Sequence, residues 1–227
     1  MLPLIEVVTG QGSDVYLVLL CDHPQNKVDV NKITAPVWQK QIVDAYGIAR
    51  EAASHRFVPL YFLGYSLGAL LGQSMLLPSG AFARFAKQVL VAPATAIRRR
   101  CYLIKAFLFW GFPARLPSFT PKNYRVYPFL PLNFYQILFA EEQKLLCAGP
   151  LNQPTLVLID PADELISLRK LEKQIQRFGL SRYKVVVLNK SSRGRTKTYH
   201  HLILDEATMG KENWEKATKE ISTFLFE

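Results

Sequence analysis

Short apolar runs and longer stretches with apolar residues at helical spacing take turns along most of this chain. The runs "FVPLYFLG", "QVLVAPA", "TLVLID" and "YKVVVLN" are continuous rather than alternating, as expected of strands buried on both faces. Between and around them lie helical patterns. In "TAPVWQKQIVDAYGIAREAASH", Trp38, Ile42, Ala45, Ala49 and Ala52 recur three and four apart, Thr34 is placed to cap, and Pro36 suits a first turn. "LGALLGQSMLL" is apolar nearly all round, which predicts an interior helix, with Gly68 and Gly72 admitting a neighbouring backbone. A short helical stretch is expected after Pro78 and Gly80. "SLRKLEKQIQRFG" carries Leu168, Leu171, Ile175 and Phe178 on one face, and the last helix carries Trp214, Ala217, Ile221 and Phe224. This alternation predicts an α/β fold: a mostly parallel sheet with helices on both faces.

Two regions depart from the rhythm. At the start, "LIEVV" and "VYLVLL" are separated only by "TGQGSD", too short for a parallel crossover, so the pattern predicts an antiparallel hairpin. From about Ile97 to Cys147 the chain is dense in aromatics, among them Phe107, Phe109, Trp110 and Phe112, and has prolines at 113, 117, 121, 128 and 131. Such a stretch is too long for a plain loop and predicts an inserted, partly helical cap, over residues 97–147, on a core of residues 1–96 and 148–227. Its aromatics have two readings: they line an acyl pocket, or they form the cap's own core.

Length and charge narrow the function classes. A chain of 227 residues suffices for one domain with an insertion. The N-terminus lacks the charged and apolar regions of a secretory signal, and "CYLIKAFLFWGF" is too short to span a bilayer. Three widely spaced cysteines suit reduced thiols in the cytoplasm and no metal site. The net charge of +10 gathers in Arg98–Arg100, in the 167–177 stretch and in "KSSRGRTK". No nucleic-acid reader module accompanies these clusters, so the expectation is a solubilising surface, with peripheral contact to an anionic membrane as the specific alternative.

The candidate chemistry begins at Gly64-Tyr65-Ser66-Leu67-Gly68, a G-x-S-x-G pattern that arises by chance in on the order of one chain in ten of this size. Its setting adds weight, because a predicted strand precedes it and a predicted helix follows, which lifts the serine hydroxyl at the strand's C-terminal end. A serine nucleophile needs a base and a carboxylate to orient it. "DPADELIS" follows a strand and offers Asp160 and Asp163; "YHHLILDE" follows the last strand and offers His200 and His201.

With those motifs in the order serine, acid, histidine, the chain resembles the α/β-hydrolase superfamily, in its capped lysophospholipase, monoglyceride-lipase and carboxylesterase branch. The resemblance runs from Val15 to the C-terminus. It implies a serine hydrolase acting on a carboxylic ester, with Ser66 as nucleophile, Asp163 as acid and His200 as base; Asp160 and His201 are the competing neighbours. Its elbow and early-loop motifs imply an oxyanion hole from the amides of Leu67 and Gln25, with Gln11 or Gly12 as the alternative second donor. Tyr65, Phe109 and Trp110 are the expected substrate contacts. No metal or organic cofactor is implied, and the expected partner is a small ester, with a lipid acyl chain favoured by the cap. The same triad also suits a thioesterase or acyltransferase, and a hydrolase fold without turnover is the non-enzyme reading. The pattern departs from the superfamily in having one helix between "VYLVLL" and the elbow strand, where two helices and a strand are usual. That leaves a sheet short of a strand, or a rearranged N-terminal part.

Overall fold

The computed structural model describes residues 2–20, 33–76, 85–105, 115–118, 120–125, 127–190 and 199–227. Among the described residues four strands form one sheet: β1 (Tyr61–Tyr65), β2 (Lys87–Val91), β5 (Thr155–Ile159) and β6 (Tyr183–Val187), in the order β1-β2-β5-β6. All three pairings are parallel, as the continuous apolar runs predict. Their register is level, Tyr65 beside Val91 and Val91 beside Leu158, so the strands end together along one rim.

Successive side chains of the two inner strands serve opposite faces. Val89, Val91, Leu156 and Leu158 pack with Leu4, Met209, Ile221 and Leu225, from α1 (Leu2–Thr9), α6 (Glu206–Met209) and α7 (Lys211–Phe226). Leu90, Val157 and Ile159 pack on the other face with Leu70 from α3 (Leu67–Leu76), Phe139 and Leu145 from α4 (Leu132–Ala148) and Leu171 from α5 (Leu168–Arg177). A third cluster joins α2 (Ala35–His55) to α3 and α4 through Trp38, Ile42, Tyr46, Leu71 and Ile137. The buried stripe of α2 is Trp38, Ile42, Tyr46, Ala49 and Ala53. Tyr46 and Ala53 thus replace the expected Ala45 and Ala52, because a ring turned into the α3 and α4 cluster buries far more apolar surface than a methyl group.

The N-terminal hairpin does not form. "LPLIEVVT" is α1, with Pro3 in its first turn and Leu4 and Val8, one helical turn apart, against the cluster under α7. Leu4 is 1% exposed, a burial worth about 2 kcal/mol that a two-stranded ribbon in water does not supply. Val15–Leu19 are 38–50% exposed, and among the described residues the segment joins no sheet. Asp14 pairs with Arg56 at the end of α2.

Within residues 97–147, a 3-10 turn (Arg99–Leu103), a small antiparallel pair of β3 (Arg115–Pro117) and β4 (Phe129–Pro131), and α4 are described. Glu142 of α4 is 2% exposed and fully partnered: it accepts the Ile97 amide, the Tyr102 hydroxyl and the Lys170 ammonium. That network roots α4 on the core beside α5. The expected short helix after Gly80, and Phe107, Phe109, Trp110, Phe112 and Phe119, lie outside the described residues.

Candidate active site

The turn from β1 into α3 holds Ser66 at φ 49, in the left-handed region that a non-glycine residue enters at a cost of about 1–3 kcal/mol. The conformation is held from both sides: the Ser66 amide donates to the Val91 carbonyl at 2.9 Å, and the Ser66 carbonyl accepts the Ala94 amide at 3.0 Å. Gly64 is required here, since a Cβ on it would lie 2.7 Å from the Ala69 Cα. Gly68 and Gly72 differ from expectation. A Cβ on Gly68 meets nothing within 4 Å among the described residues, and one on Gly72 meets the Phe62 ring rather than backbone.

Asp163, 0% exposed, sits past β5 in the loop before α5. One carboxylate oxygen accepts the Leu165 and Ile166 amides at 2.7 and 2.8 Å, which aims the other at the histidine loop. There Oδ2 meets His201 Nδ1 at 2.8 Å, and His201 Nε2 meets Ser66 Oγ at 2.8 Å. Serine, imidazole and carboxylate are therefore in line.

The histidine in that line is His201, and the expectation of His200 is corrected. His200 turns its Nδ1 to Asp160 Oδ2 at 3.0 Å, while Asp160 also accepts the Ala162 and Lys190 amides. Neighbouring residues of a turn point their rings in different directions, and two buried carboxylates three residues apart each need a partner. The loops satisfy both in parallel, first with first and second with second. An Asp-x-x-Asp facing a His-His in the sequence is a signal for that double pairing.

Residues that the sequence marked only as basic clusters, and Tyr65, expected as a substrate contact, shape the site through hydrogen bonds. Arg98 donates from Nε to the carbonyls of Asp163 and Ile166, at 2.6 and 3.1 Å, and from Nη2 to Pro161 at 3.0 Å. Arg100 donates to the Glu164 carbonyl. Two of the three arginines of the Arg98–Arg100 cluster thus tether the acid loop. Lys190 Nζ donates to the carbonyls of Tyr199 and Leu202 at 2.5 and 2.7 Å, and burial pushes its pKa down against the pull of nearby carboxylates, Asp160 first. Tyr65 takes a supporting place under His201. Its hydroxyl donates to the His201 carbonyl at 3.1 Å, its ring lies 5.4 Å from the imidazole, and burial together with the charges of Asp163 and Glu164 raises its pKa strongly.

Leu67 opens α3, so its amide has no carbonyl one turn back and is free of the helix ladder. The alternative donors Gln11 and Gly12 are ruled out by their place at the end of α1, where their amides bond the carbonyls of Val8 and Thr9. Gln25, Phe109 and Trp110 lie outside the described residues. Among the described residues no cluster of three or more metal-ligating side chains is arranged to hold an ion, and no helix is long and apolar enough to cross a membrane.

The fold that carries this arrangement is shared with many solved structures. A metagenome-derived lipolytic enzyme of the LipS and LipT pair aligns over 86% of this chain and 74% of its own, with TM-score 0.63 and 21% identity. The chain has the α/β-hydrolase fold. Two further hydrolase-fold structures make the same point. A soluble variant of the Saccharomyces cerevisiae monoglyceride lipase, solved with a substrate analogue, aligns over 81% of this chain and 67% of its own at TM-score 0.60 and 12% identity. The Paleococcus ferrophilus monoacylglycerol lipase aligns over 81% and 76% at TM-score 0.57 and 12% identity. No protein-family model and no curated protein matches this hydrolase-fold chain.

Proposed function

We propose that the protein is a serine hydrolase of carboxylic esters. The observation that carries the reading is the unbroken line from Ser66 Oγ through His201 to Asp163, with 2.8 Å at each step. Ser66 Oγ attacks the ester carbonyl while its proton passes to His201 Nε2; Asp163 holds the opposite nitrogen and stabilises the imidazolium. The proton then moves from His201 to the departing alcohol oxygen as the C–O bond breaks, leaving an acyl-serine. Water attacks that acyl group, gives a proton to His201, and the acid leaves as the proton returns to Ser66. The Leu67 amide, at the N-terminal end of α3, supplies one oxyanion donor.

An apolar acyl chain is the proposed substrate feature, supported by the aromatic content of residues 97–147, which we propose as the cap, and by the lipolytic neighbours. The free thiols of Cys101 and Cys147 are in keeping with work in a reducing compartment. A fluorophosphonate probe tests the mechanism: stoichiometric labelling of wild type that disappears in Ser66→Ala is expected, and a folded wild-type protein that takes no label sinks it. A series of p-nitrophenyl esters from C2 to C16 tests the acyl chain, with best turnover on the longer members expected and a C2 optimum against it.

A further inference from the structure

We infer that Glu164 is the positioning residue that selects which of the two adjacent histidines faces Ser66. Its carboxylate accepts the His200 amide on Oε1 and the His201 amide on Oε2, both at 2.9 Å. One planar carboxylate across two consecutive amides is a charge-assisted, two-point hold, and it orients the backbone from which both imidazoles spring. A slip of one residue at this hold would carry His200 to Asp163 and remove His201 from the serine.

Other backbone groups of the turn are bonded as well. The Leu202 amide closes the turn on Tyr199, Lys190 takes the carbonyls of Tyr199 and Leu202, and Tyr65 donates to the carbonyl of His201. Glu164 thus takes the amides of both histidines, while an ammonium and a phenol take the turn's carbonyls at Tyr199, His201 and Leu202. Glu164 is also adjacent to Asp163, and Arg98 and Arg100 fix the carbonyls of both. Acid and clamp therefore belong to one rigid segment, so the backbone that holds the histidine turn also sets the distance from Asp163 to His201.

The inference rests on the hydrolase reading for its effect on turnover, but its geometry has a readout of its own. In the full chain, Glu164→Ala and Glu164→Gln are compared with wild type for kcat and KM on p-nitrophenyl butyrate. Each is also examined for the downfield proton resonance of the His201 Nδ1–H shared with Asp163, assigned by its loss in His201→Gln. Glu164→Ala is expected to lower kcat about 100-fold, the scale of a misplacement near 1 Å, with KM within about two-fold and the resonance lost. Glu164→Gln, whose amide oxygen still accepts one of the two amides, recovers part of both. Wild-type kcat with the resonance unmoved in Glu164→Ala overturns the inference, and if that variant does not fold, the same result in Glu164→Gln does so. A wild type that neither labels nor hydrolyses sinks the hydrolase reading alone. The resonance then still decides, its loss in Glu164→Ala upholding the positioning role and its persistence overturning it.

Discussion

His201–Asp163 and His200–Asp160 are the same side-chain pair built twice, at 2.8 and 3.0 Å, with both carboxylates buried and both taking two backbone amides. They differ in what lies beyond the imidazole. From His201 the chain of bonds continues to Ser66 Oγ, at a backbone position strained to φ 49; from His200 it runs back through Asp160 to the Lys190 amide and the loop it anchors. A histidine–carboxylate pair is thus no sign of catalysis by itself. On the proposed mechanism, it is the Ser66 hydroxyl at the far nitrogen of His201 that makes that pair the one to move a proton.

The largest expected effect separates the two histidines directly. His201→Ala should lower kcat/KM for a p-nitrophenyl ester by about 10⁴-fold, and His200→Ala by less than about 10-fold. Equal losses would dissolve the distinction. The acids should follow their partners: Asp163→Asn near 10⁴-fold with the fold intact, because the imidazole is then held in the wrong tautomer. Asp160→Asn should instead leave most of the rate and cost about 1–3 kcal/mol in a urea melt, since an amide nitrogen facing the Lys190 amide accepts nothing.

Arg98→Met sharpens the comparison at the loop that carries both acids. Three backbone carbonyls lose their donor, so a kcat loss near 10-fold is expected from displaced Asp163, with KM little changed. An unchanged kcat would mean that the loop keeps its shape through Asp163 alone. The smallest effect concerns pH. The Tyr65 phenol has a folded pKa raised above its unfolded value of about 10, so the folded state prefers it neutral. Its stabilising contribution is whole below pH 10 and is lost as pH climbs from there toward the folded pKa. Thermal melts of wild type should therefore fall above about pH 10, and Tyr65→Phe, though it loses the bond to His201, should fall less steeply over that range.

Where sequence reading failed, the cause is specific. "LIEVV" is short and β-branched, and a run of that length reads equally as strand or as helix until something chooses. Leu4 and Val8 choose helix because α7 offers them a cover one turn apart. On α2 a three-and-four pattern was visible, yet which of two adjacent stripes turned inward depended on the space between α3 and α4, which admits the Tyr46 ring. Gly68 likewise looked like a point of close backbone approach, and of the two glycines flanking Ser66 it is Gly64 that meets backbone among the described residues. Arg98 and Arg100 read as a cationic cluster because sequence records charge and not the carbonyls a guanidinium reaches.

The four parallel strands, the strained elbow at Ser66 and the placement of Asp163 after β5 were determined by the sequence alone. Each follows from local periodicity or from backbone sterics within a few residues. The choice between two adjacent histidines, and the helical N-terminus, were decided only by the tertiary structure. Both depend on partners far along the chain: Asp163 and Glu164 nearly forty residues before His201, and α7 at the other end from Leu4. Side-chain direction in a turn, and the fate of a short apolar run, follow the surface that receives them, and that surface exists only once the chain has folded.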